Sequence, residues 1–248
     1  NWRNMRNLRL DLCYDGTRYR GWQRIPGADN TIQGKLEQVL SRILEEPIEV
    51  SGSGRTDAGV HALGQVASFH CENSMPADQI LEQLRRYLPE DIGIYSCKEA
   101  SARFHARLNA KQKTYRYCIW NSREPCVFRR RYVAVFPETL DTDAMQRSGE
   151  RLVGEHDFSA FCTRARQKKS TVRCITALSV TRAGNEIHIT VTADGFLYNM
   201  MRIIAGTLIE AGRGERSPED IPALFSGARS EAGFLAPAQG LCLMEVEY

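Results

Sequence analysis

Leu8-Arg9-Leu10-Asp11-Leu12-Cys13-Tyr14 sets Leu8, Leu10, Leu12 and Tyr14 in alternation with Arg9, Asp11 and Cys13. A period of two puts the first four side chains on one face, so the stretch is predicted to be a strand with one buried side. That side needs a cover. Ile32, Leu36, Val39, Leu40, Ile43 and Leu44 recur at helical spacing after Asn30, which is placed to cap the helix with Gln33 three residues on; Pro47 closes it. Ile48 to Ser51 resumes extended structure, and Gln65 to Cys71 reads as a strand. Pro76 opens a second helix carrying Ile80, Leu81, Leu84 and Leu88, and Ile92 to Cys97 is a further strand. The order is β-α-β-β-α-β.

The second half repeats that order without repeating its residues. Thr114 to Trp120 is predicted as a strand and Asp141 to Val153 as a helix. Thr171 to Thr181 and Glu186 to Ala193 pair around a Gly184-Asn185 turn. Phe196 to Ala211 reads as a helix, Pro218 to Phe225 as a short one, and Leu241 to Tyr248 as a closing strand. The expectation is an α+β protein of two tandem ferredoxin-like, RNP-like units with antiparallel sheets joined around a basic central cleft. The units are expected over residues 1–105 and 106–248.

The charge supports that cleft by its placement rather than its total. The 248 residues carry a net charge of only +3. Yet Arg103, Arg107, Lys111, Lys113, Arg116, Arg123, Arg129, Arg130 and Arg131 follow one another with Glu124 as the sole acid among them. Arg164, Arg166, Lys168, Lys169 and Arg173 form a second run. Segregated positive stretches on a near-neutral chain suit one phosphate-binding face, though solvated basic loops would read the same way. The eight cysteines form no Cys-x-x-Cys pair and no Cys/His cluster at zinc spacing, so reduced core thiols and no metal are expected. Asn1 to Asn7 lacks the apolar run of a secretory leader. Phe196 to Ile209, the longest apolar stretch, is interrupted by Asn199 and Arg202 and is too short to span a bilayer. A cytoplasmic protein is expected.

Chemistry enters at Gly54-Arg55-Thr56-Asp57-Ala58-Gly59-Val60-His61-Ala62. Glycines on both sides of Asp57 allow tight turns, which hold a carboxylate on a constrained loop. Arg55 is two residues away, and neighbouring cations favour the ionised form that a nucleophile or base needs. Taken alone, an Arg-x-Asp-x-Gly turn also fits a surface ion pair.

Extended to Gly64-Gln65-Val66, the segment strongly resembles the signature of the tRNA pseudouridine synthase A family. Tyr14-Asp15-Gly16-Thr17 with Gly21-Trp22-Gln23, Thr31-Ile32-Gln33 with Leu36-Glu37, Leu88-Pro89-Glu90-Asp91-Ile92 and Phe104-His105-Ala106-Arg107 are similar to that family's segments in the same order. So are Lys113-Thr114-Tyr115-Arg116-Tyr117, Gly154-Glu155-His156-Asp157-Phe158, Phe196-Leu197-Tyr198, Met201-Arg202 and Gly240-Leu241-Cys242-Leu243. Ser51-Gly52-Ser53 departs where alanine is commoner before the first glycine, and Met200-Met201 where valine is frequent; both leave room for a paralogue acting on another RNA.

The resemblance implies an isomerase that converts uridine to pseudouridine in the anticodon stem-loop, at tRNA positions 38 to 40, without cofactor or metal. It makes Asp57 the catalytic carboxylate, Arg55 and Arg202 its supporting cations, and Tyr115 the ring that stacks on the target base. Arg107 and Leu241 become substrate-binding positions, tRNA the partner, and a homodimer the working form. Base flipping would expose the target nucleotide. Asp57 would then either attack C1′ or remove the 2′ proton. Two readings compete: a noncatalytic RNA-binding protein, and a small-molecule hydrolase using Asp57 with His61. His61 is read as structural.

Overall fold

The computed structural model describes residues 5–163 and 169–248. The protein is α+β and packs as two units, one of residues 1–111 with Leu243–Tyr248, the other of Gln112–Cys242.

In the first unit, β1 (Arg6–Tyr14) lies between two antiparallel neighbours, β3 (His61–Cys71) and β4 (Ile92–Ala100). The short β2 (Val50–Gly52) pairs with β3. Leu8, Leu10 and Leu12 are wholly buried, as their alternation requires. Helix α1 (Ile32–Leu44) buries Ile32, Leu36, Leu40 and Leu44, and α2 (Ala77–Tyr87) buries Ile80 and Leu84. The cap of α1 is not Asn30. Thr31 takes that place, its Oγ1 accepting the Gly34 amide at 3.1 Å. Gln33 forms no capping box because its side chain is engaged elsewhere, donating to the Val50 carbonyl at 3.0 Å and accepting the Arg24 amide at 2.8 Å. Glu45, in the left-handed region at φ 54°, ends the helix before Pro47 is reached.

In the second unit, β5 (Gln112–Trp120) pairs antiparallel with β9 (Glu186–Ala193), β9 with β8 (Val172–Ala183), and β8 with β7 (Gly154–Asp157). The β8–β9 hairpin turns at Gly184-Asn185, with Ala183 opposite Glu186 and Gly184 at φ 61°. Strand β7 and the two-residue β6 (Ala134–Val135), which runs parallel beside β5, were not expected from the sequence. Helix α3 (Thr142–Glu150) is capped by Asp141. Helix α4 (Met200–Gly212) starts four residues later than the apolar run suggests, because Asn199 sits at φ 62°, where a helix cannot continue. Pro218–Asp220 and Pro222–Ser226 form two 3-10 turns instead of one helix, since Pro222 lacks the amide an α-helix needs there. The last strand, β10 (Leu241–Glu247), places its first two residues in this unit and the remainder in the first.

Among the described residues no helix is long and apolar enough to cross a membrane. All eight cysteines are free thiols. Burial pushes the Cys97 thiol up to about 12 and the Cys118 thiol to about 11, so both are poor nucleophiles at neutral pH.

Candidate active site

The loop between β2 and β3 carries Asp57, and its neighbours grip it through backbone and side chain. The Thr56 carbonyl accepts the Trp22 amide at 3.0 Å, and Thr56 Oγ1 meets the Tyr14 hydroxyl at 2.7 Å. Gln65 bridges the loop's base. Its Nε2 donates to the Gly54 carbonyl and to Tyr14 Oη, both at 3.3 Å, and its Oε1 accepts from Ser53 Oγ at 2.5 Å. Buried groups bonded in this way resist displacement, because breaking one strands its partner away from water. The Asp57 carbonyl accepts the Val60 amide at 3.1 Å, closing a tight turn in which Gly59 adopts φ 81°. Gly54 stays out of the positive-φ region, so only one of the two flanking glycines is needed for its conformation.

Two more glycines let the chain pass close to this loop. A Cβ on Gly16 would stand 2.0 Å from the Val60 carbonyl oxygen, and one on Gly21, which holds φ 95°, 2.7 Å from that of Thr56. Tyr14, Gly16, Gly21 and Gln65 are thus a support for Asp57. The sequence showed them as motif residues but not as a hydrogen-bonded frame.

Within this frame Asp57 is half-buried and Arg55 exposed. His61 is buried, and its Nδ1 accepts the Gly16 amide at 2.9 Å. That bond commits the lone pair a general base would use. Asp15 Oδ1 lies 3.3 Å from the same nitrogen. The Gly16 bond and the burial of His61 support a structural role for it.

The second unit holds Tyr115, Arg202 and Leu241. Tyr115 lies on β5 opposite Val191, 8 % exposed, with its ring edge-on to Phe196 at 4.8 Å. Arg202 is half-buried in the first turn of α4. Its Nε donates to the Ala236 carbonyl at 2.8 Å and its Nη1 lies 3.5 Å from Asn199 Oδ1, so the guanidinium is aimed by its own unit. Asn199 is held in turn by a 3.0 Å bond from Nδ2 to Thr163 Oγ1. Leu241 is buried. Arg107 is exposed, on the loop after β4 in the first unit.

The basic runs divide. Arg103, Arg107, Lys111, Arg123, Arg130 and Arg131 are exposed. Arg129 is committed instead, bonding Glu186 through Nε at 2.9 Å and Nη2 at 3.1 Å. Arg164, Arg166 and Lys168 lie outside the described residues.

Glu186 also meets His188 Nε2 at 3.1 Å, and with Cys118 these form the one group of converging metal donors among the described residues. Arg129 already serves as the cation there. Burial pushes the Glu186 carboxyl up, but hydrogen bonds from Arg129 and His188 outweigh it and leave the carboxyl below its ordinary value of 4.5. A depressed folded-state value means this stability is present above about pH 4.5 and is lost as the pH falls through the lower folded value. Thermal melts of Glu186→Gln should therefore run below wild type at pH 7 and depend less on pH between about 5 and 3. Parallel curves for the two proteins across that range would exclude this contribution.

Comparison with known proteins shows the family. A family model described as tRNA pseudouridine synthase matches residues 13–109 and 150–248. The first span contains Asp57, the second Arg202, and Tyr115 falls between them. The chain belongs to the tRNA pseudouridine synthase family and is by class an isomerase. It is similar to the tRNA pseudouridine synthase A of Bacillus sp. strain KSM-64, 46% identical over 245 residues, and to that of Brevibacillus brevis at 45% over the same length. The corresponding protein of Caldicellulosiruptor bescii is 44% identical. Each alignment covers 98% of this chain and the whole of the relative.

Proposed function

We propose that this protein converts uridine to pseudouridine in the anticodon stem-loop of tRNA, at positions 38 to 40, with Asp57 as the catalytic carboxylate. The observation that carries the reading is the loop itself. A half-buried acid sits on a loop whose neighbouring residues Gly54 and Thr56 are held by hydrogen bonds, in a chain of this family, whereas a passive RNA binder gains nothing from fixing a negative charge near phosphates.

The reaction breaks N1–C1′, turns the uracil and joins C5 to C1′. The C5 proton leaves and N1 gains one, so no redox partner is needed. The target nucleotide leaves the stack to bring its ribose to the acid. Asp57 either adds to C1′ and is displaced by C5, or takes the 2′ proton to give a glycal and later returns it. Arg202, whose guanidinium bonds Ala236 and Asn199, is assigned with Arg55 as a supporting cation of the reaction. Tyr115, immobilised against Phe196, meets the flipped base through its accessible part at little entropic cost. Arg107 and Leu241 line the substrate's path. Each unit is ferredoxin-like, and the working form is a cytoplasmic homodimer.

Release of tritium from tRNA carrying uridine labelled at C5, with pseudouridine mapped afterwards, tests the function. Modification confined to another RNA would redirect it to a paralogue's substrate. Affinity for tRNA should also fall linearly with salt on logarithmic axes, and Arg107→Ala should lower the slope by about one. A slope unchanged by that substitution, measured by fluorescence anisotropy from about 50 to 200 mM salt, would remove Arg107 from the phosphate contacts.

A further inference from the structure

The segment joining β5 to β6 has a use that the catalytic reading leaves open. Phe128 is 94 % exposed and Val127 beside it 56 %. A free phenyl ring in a loose loop would carry no meaning, but this loop is tied down. Trp120 Nε1 donates to the Glu124 carbonyl at 3.0 Å. Arg129 reaches back to Glu186 on β9 and lies over the Tyr132 ring at 5.6 Å. Arg130 donates to the Val127 carbonyl at 2.6 Å, and the Tyr132 amide to the Arg129 carbonyl at 2.8 Å. Val133 and Ala134 then bury completely or nearly so. The turn is therefore built to hold a large apolar ring in water, on a segment that also carries Arg123, Arg130 and Arg131, all exposed.

We propose that Phe128 is a stacking platform for an unpaired base of the RNA substrate, with Arg130 and Arg131 on the adjoining phosphates. This rests on the tRNA reading above for the identity of the partner. The charge selects the occupant. An aromatic ring among exposed guanidiniums matches a single strand, whose phosphates satisfy the cations while a base face covers the ring. A second copy of the same loop would bring like charges together, and Glu124 is the only acid in the segment to offset them. The committed Arg129 is what distinguishes a preorganised contact from a chance one: its ion pair fixes the turn before RNA arrives, so binding orders little further.

Phe128→Ala should weaken tRNA binding roughly 5- to 150-fold, the equivalent of one lost base–aromatic stack of about 1–3 kcal/mol. Its effect should fall on KM, with kcat held within about twofold. Phe128→Trp should restore affinity, and ultraviolet cross-linking of wild type to tRNA should attach a nucleotide to the peptide containing Phe128. Because the ring is exposed, the melting temperature should not move. Unchanged affinity in Phe128→Ala overturns the proposal, as does loss of an oligomer by light scattering with affinity per chain retained, which would make the ring a contact between copies. Either result leaves the catalytic reading standing, since that is judged by tritium release from wild type.

Discussion

Asp57→Asn is expected to lower turnover by at least about 10³-fold while leaving tRNA affinity within a few fold of wild type. The amide is nearly isosteric, so the grip of Tyr14, Trp22 and Gln65 on the loop survives, because those residues hold Thr56 and Gly54 rather than the carboxylate. What disappears is the charge. Asparagine neither adds to C1′ nor removes a 2′ proton, so both routes fail together. Binding should persist, because removing one anion does not weaken attraction for a polyanion. Single-turnover tritium release, with affinity measured separately, checks the result. Substantial release by the variant would take Asp57 out of its role, and a collapse in affinity would reassign it to substrate binding.

Gly21→Ala is expected to damage stability and catalysis together. Gly21 holds φ 95°, where an L side chain is strained, and its new methyl would stand 2.7 Å from the Thr56 carbonyl oxygen. That oxygen accepts the Trp22 amide, so relief of the clash pulls apart the hydrogen bond that clamps the loop one residue before Asp57. Strain and overpacking together should cost about 2–4 kcal/mol, and displacement of the acid by as little as an ångström should cost a further 10- to 100-fold in kcat. Gly27→Ala is the control: it too has a positive φ, 77°, but nothing lies within 4 Å of its added Cβ. It should lose some stability to backbone strain and keep its kcat. Equal activity in the two variants would show that the approach of residue 21 does not position the loop.

Much of this was legible without coordinates. The leucines of β1 are buried as their alternation demands, and the Gly184-Asn185 hairpin forms where two turn residues separate two apolar runs. Both signals are local, set by side-chain periodicity and turn chemistry. The misreadings arose where a distant partner outbid a local preference. Gln33 was placed for a capping box but bonds Val50, seventeen residues on. The apolar run from Phe196 continued the helical pattern, but Asn199, bonded to Thr163, breaks it there. Strand β7 is four residues of mixed polarity, Gly154-Glu155-His156-Asp157, and becomes a strand only because β8 offers it an edge.

The site divides in the same way. The chain shows Asp57 between two glycines directly, and the family resemblance, rather than the short motif alone, singles it out as the candidate acid. Its frame of Tyr14, Thr56 and Gln65, the bond of Arg202 to Ala236, and the pairing of Arg129 with Glu186 needed tertiary structure. So did the return of the C-terminal strand to the first unit. The reason is physical: periodicity and motif record what each residue prefers, whereas hydrogen bonds between residues tens of positions apart depend on how the folded chain brings donors and acceptors within about 3 Å of each other.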